Sequence, residues 1–134
     1  MKVMNVQIEL PVSSIMTTNL ITLDVKDGLD KAEHLFKKYK IRHIPVIEKD
    51  KIIGMISMND LLRISFADGA YREEENISSS IYDMFTLKQL MIGNLETVTP
   101  DTTIKEVAEL LVQREFHSLP VVENGTLKGM VTTT

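Results

Sequence analysis

Cysteine and tryptophan are absent from this 134-residue chain, aromatic residues make up 5% of it, and there are only 4 prolines and 6 glycines. Without cysteine there can be no disulfide, thiolate nucleophile or thiolate metal site, which suits a reducing compartment. The apolar runs are short: Ile52-Ile53 passes through Gly54 into Met55-Ile56 and stops. About 20 apolar residues are needed to span a bilayer, so a membrane span is not expected. The opening "MKVMNVQIEL" lacks the apolar stretch and small-residue cleavage site of a secretory signal, and a cytoplasmic location is the default expectation. Gly28, Gly54, Gly69, Gly93, Gly125 and Gly129 fall in neither a G-x-x-x-x-G-K-[ST] loop nor a G-x-G-x-x-G fingerprint. His34, His43 and His117 have no i,i+4 histidine partner, so neither a metal nor a catalytic cofactor is expected. A Ser-His-Asp triad could be drawn in many ways, and that freedom argues against each of them. No enzyme activity is expected.

The composition that remains is that of an ordinary globular protein, 43% hydrophobic and 25% charged. A chain of this length buries roughly two-thirds of its unfolded surface. Its net charge of −4, with dispersed Lys and Arg, makes a nucleic-acid backbone a poor partner. The eight methionines read as gap-filling core.

The chain repeats itself. Laid on itself with Met16 against Met91, a shift of 75 residues, it matches without a gap to the end. Identical pairs are Met16/Met91, Asn19/Asn94, Leu20/Leu95, Thr22/Thr97, Leu35/Leu110, Pro45/Pro120, Val46/Val121, Glu48/Glu123, Gly54/Gly129 and Met55/Met130. Leu29/Ile104, Ile44/Leu119, Ile47/Val122, Ile52/Leu127 and Ile56/Val131 swap one apolar residue for another. One register held this long marks a tandem duplication.

Both copies have the same grammar. Helical spacing over 27–40 puts Leu29, Ala32, Leu35, Phe36 and Tyr39 on one side, and over 103–114 it does the same for Ile104, Val107, Ala108 and Leu111. Two β-rich runs follow in each copy, at 44–47 and 52–57 and at 119–122 and 127–132, joined by "EKDK" and "ENGT" as hairpin turns. Asn59–Phe66 reads as a further helix in copy one, whereas copy two stops at Thr134 where its closing helix should begin. Residues are expected beyond that abrupt end. Three parts result: repeat one at 13–64, a connector at 65–86 and repeat two at 87–134. The connector's "ADGAYREEENISSS" is Gly-, Ser- and acid-rich, with Glu73–Glu75 solvated and Tyr71 a candidate contact. Residues 81–90 read as an entry segment or helix into copy two.

Ser57-x-x-Asp60 closes the first hairpin. Its bland reading is a capping box, a hydroxyl on an orphan amide at a helix start and an acid three residues on. Its sharper reading is an anion site, because a strand ending at a helix N-terminus presents free N–H groups and a positive dipole. One residue pair can serve both.

Two copies of M-x-x-N-L-x-T, an amphipathic helix, (I/L)-P-V-(I/V)-E and G-M-(I/V)-(S/T)-x-(N/T) resemble a pair of CBS domains, the Bateman module, over 13–62 and 87–134. The resemblance implies an α/β (α+β) fold of two β-α-β-β-α repeats, their sheets packed with pseudo-twofold symmetry around two clefts. It also implies a regulatory ligand containing adenosine: AMP, ADP, ATP or S-adenosylmethionine. In such a module Asp60 would accept the ribose hydroxyls and Ser57 would approach phosphate or sugar, with Asn59 between them. The basic residues before each Pro-Val, Arg42-His43 and, in copy two, His117-Ser118, would point at phosphate. Arginine is a permanent fork donor, whereas histidine is only partly charged at neutral pH. The adenine slot would lie near Thr17, Leu20, Ile21, Ile41 and Met55, with Ile92, Glu96 and Phe116 as counterparts. Thr132 and Thr134 stand where copy one has its hydroxyl motif, but the matching acid would fall one residue past the end. The implied role is energy sensing or a similar signal, passed through a homodimer or an effector protein. The alternatives are a ligand-free docking module and an S-adenosylmethionine or NAD binder.

Overall fold

The computed structural model describes residues 9–67, 84–113 and 118–132. Phe116, His117, Thr134, Arg114, Tyr71 and Glu73–Glu75 lie outside the described residues. Strands and helices alternate in the expected mixed α/β manner: β1 (Leu23–Asp24), α1 (Leu29–Tyr39), β2 (His43–Glu48), β3 (Lys51–Ser57), α2 (Met58–Ala67), α3 (Leu87–Leu90), α4 (Ile104–Gln113), β4 (Ser118–Glu123) and β5 (Thr126–Thr132). Both hairpins turn on two residues of positive φ, Lys49 and Asp50 in the first and Asn124 and Gly125 in the second, the sign that a two-residue primed turn demands.

The chain forms two compact units, and they do not coincide with the two copies. One holds residues 21–49 and 53–95, and the other residues 1–20, 50–52 and 96–134.

In the first unit β1 runs parallel to β2, Leu23 opposite Val46, and β3 lies on the other side of β2. Leu29, Ala32 and Phe36, at i, i+3 and i+7 of α1, are buried against Leu23, Ile44, Val46, Ile56, Leu61 and Leu87. Tyr39 leaves the expected apolar face. It is the last residue before the left-handed cap at Lys40, it stays 45% exposed, and the Lys38 ammonium lies 5.3 Å from its ring centre. The entry segment of copy two belongs here. Thr86 and Gln89 cap α3 reciprocally, and Met55 and Ile92 exchange backbone hydrogen bonds of 3.0 and 2.9 Å.

The second unit is the mirror of this exchange. Val98 bridges Val121 in parallel, β4 pairs antiparallel with β5 from Ser118↔Thr132 to Glu123↔Thr126, and Thr17 of copy one pairs with Met130 through bonds of 2.8 and 2.9 Å. Val12, Val98, Val107, Leu119, Val121 and Val131 form its core. Strand partners are therefore not divided copy by copy, since Lys51 at the start of β3 pairs with Thr126. In α4 Ala108 is exposed although its spacing suggested burial. It sits about 100° round the helix from buried Val107, and Leu110 packs on the core instead.

The exchange explains two glycines. A Cβ on Gly54 would lie 2.4 Å from the Met91 sulfur and 3.0 Å from the Ile92 carbonyl oxygen, and one on Gly129 would lie 2.6 Å from the Met16 sulfur and 3.0 Å from the Thr17 carbonyl. Each entry segment passes too close to a strand for any side chain to stand there.

Candidate functional site

Where β3 gives way to α2, the backbone amides of the first helical turn have no intrahelical partner. The Ser57-x-x-Asp60 pair fills that need as a complete reciprocal box. The Asp60 N–H donates to Ser57 Oγ at 3.2 Å, and Asp60 Oδ2 accepts the Ser57 N–H at 2.9 Å and the Ser57 hydroxyl at 2.8 Å. The amide of Met58 donates to the Arg42 carbonyl at 3.0 Å. That bond ties the approach to β2 to the start of α2, so Arg42 and His43 lie beside the Ser57–Asp60 turn.

Asp60 is 4% exposed and is the buried charged residue among those described. A buried carboxylate is costly unless its oxygens are occupied. Each oxygen offers two lone pairs, and Oδ2 spends both on Ser57. Oδ1 accepts from the Arg63 guanidinium, an ion pair whose arginine side chain is 74% exposed while that of Asp60 is 6% exposed. Arg63 was not among the candidates drawn from the sequence. Its signal was there in the i,i+3 spacing of opposite charges on one helix.

The other candidates sort by unit. Ile21, Ile41, Arg42, His43, Met55, Ser57, Asn59 and Asp60 belong to the first, with Arg42 and Asn59 exposed, Met55 buried, and Ile21, Ile41 and His43 partly buried. Thr17, Leu20, Glu96, Ser118 and Thr132 belong to the second. There Thr17 commits its backbone to Met130, and Ser118 and Thr132 face each other across β4 and β5. An open depression of about 360 Å³ lies elsewhere, along α1 between Asp30, Glu33, His34, Lys37 and Lys38, and takes in no candidate residue. Among the described residues no three His, Asp or Glu side chains gather as metal ligands would, and no helix is long and apolar enough to cross a membrane.

A family model for the CBS domain matches residues 12–67 and again residues 87–134. Inosine-5'-monophosphate dehydrogenase from Halalkalibacterium halodurans is 37% identical over 103 residues, covering 75% of this chain but only 18% of the dehydrogenase. Among solved structures, AcuB from Vibrio cholerae is 28% identical with a TM-score of 0.78, over 92% of this chain and 84% of that one. CBSX2, solved in complex with AMP, is 25% identical with a TM-score of 0.76, over 92% of this chain and 90% of its own.

Proposed function

Because the chain belongs to the CBS domain family, we propose that it is a non-catalytic regulatory module that binds an adenine nucleotide at the β3–α2 junction and reports occupancy to a partner protein. The observation that carries this reading is the buried Asp60 carboxylate at the junction, with Arg42 and His43 held beside it. CBSX2, similar over nearly its whole length, was solved with AMP. The nucleotide's sugar would meet Asp60, and its phosphate would meet Arg42 at the positive end of the helix dipole. The module would act in the cytoplasm as a homodimer, and occupancy would signal only through unequal affinity for two arrangements of the protein.

One observation favours a rival, a docking module without a ligand: the Asp60 carboxylate is already satisfied by Ser57 and Arg63. Thermal shift against AMP, ADP, ATP, NAD and S-adenosylmethionine separates the two. A true ligand at a hundredfold excess over its Kd stabilises the fold by about 2.7 kcal/mol, and silence across the panel favours the rival. Asp60→Asn gives the finer answer by calorimetry. Nucleotide binding predicts an affinity loss of about tenfold or more, whereas a cap alone predicts a stability loss of about 1 kcal/mol with affinity unchanged.

A further inference from the structure

We infer that Arg63 is a latch on the ligand site and makes it prefer phosphorylated nucleotides over neutral nucleosides. The inference rests on the nucleotide-binding reading above and adds the residue that sets its selectivity.

Three facts carry it. Oδ2 of Asp60 already accepts two hydrogen bonds from Ser57, so a ligand can reach the carboxylate chiefly through Oδ1. The Arg63 guanidinium occupies Oδ1, leaving room for one further hydrogen bond where a ribose diol offers two. Arg63 is 74% exposed, so its side chain can swing away without opening the core, whereas Ser57 is held within the cap. The sugar and the guanidinium therefore compete for one oxygen, and the guanidinium is the partner that yields.

A neutral nucleoside that displaces Arg63 breaks an ion pair and leaves the cation with water alone. A phosphorylated nucleotide breaks the same pair but brings an anion, and arginine binds phosphate oxygens through its planar fork. The latch thus weighs against ligands without an anionic group. An ion pair with one exposed partner is worth up to about a fivefold change in affinity.

The test is calorimetric titration of the full chain with adenosine and with AMP, comparing the wild type with Arg63→Gln and Arg63→Lys. Arg63→Gln should bind adenosine about fivefold more tightly, the ratio of AMP to adenosine affinity should fall by at least as much, and Arg63→Lys should restore part of the preference. Adenosine binding that appears only in Arg63→Gln also supports the latch. If AMP binds and the ratio is the same in all three proteins, the latch is overturned while the nucleotide reading stands. If none of the three binds either compound and the thermal-shift panel is silent as well, both fall together.

Discussion

The core around Phe36 and the core around Val107 are one design built twice, the first larger at Leu23, Phe36 and Ile56 and smaller at Ala32. Leu23, Ala32, Ile44, Val46 and Ile56 of one core stand 75 positions before Val98, Val107, Leu119, Val121 and Val131 of the other. Leu87 and Val12 are also a repeat pair, yet each is buried with the opposite copy. Phe36 is 1% exposed, while its counterpart Leu111 only packs against the edge of its core. The local devices differ as well. Gly28 starts α1 with no side-chain cap, whereas Thr103 and Glu106 cap α4 reciprocally at 3.1 and 3.2 Å. Asp27 closes the turn before α1 and Thr102 closes the matching turn before α4, each accepting the backbone N–H three residues back at 2.9 and 3.1 Å. Duplication preserves the burial pattern because burial sets the free energy. It leaves each polar role open to any side chain with an acceptor at the right reach.

The widest gap between the units should come from their centres. Phe36→Ala is expected to cost about 3–5 kcal/mol in urea unfolding, and Leu111→Ala distinctly less because it is only partly buried. Equal losses would mean that the two cores are equally packed. Next come the glycines. Gly54→Ala and Gly129→Ala should each cost about 1–3 kcal/mol by overpacking, and removing the methionine in Gly54→Ala/Met91→Ala should recover part of the loss. A neutral Gly129→Ala beside a damaging Gly54→Ala would break the symmetry of the exchanged segments. The smallest contrast lies at the caps. Thr103→Ala should lower the melting midpoint by the equivalent of about 1 kcal/mol, while Gly28→Thr should raise stability by a few tenths.

Much of this was legible beforehand. The shift of 75 residues, the spacing of Leu29, Ala32 and Phe36 and the Asn-Gly turn are local patterns, and the repeat helices and hairpin strands formed within two residues of their expected places, whereas the segment expected over 81–90 is helical only at Leu87–Leu90 among the described residues. Tyr39 and Ala108 departed from expectation for geometric reasons, one at a helix end and one a full residue of rotation away from the buried stripe. At the candidate site, Ser57 and Asp60 were readable as a box. What escaped was Arg63 on the remaining carboxylate oxygen, because an i,i+3 pair of charges on a helix is too common to single out until one member is found buried.

The amino-acid order alone determined that the fold is doubled, where its helices and strands lie and which residues can cap them, since those properties depend on neighbours a few positions apart. Only the tertiary structure decided that Met16 and Thr17 cross to β5 while Met91 and Ile92 cross to β3. A strand's free edge accepts any extended segment that shape allows, so the choice falls to fit, here a methionine side chain lying over a glycine.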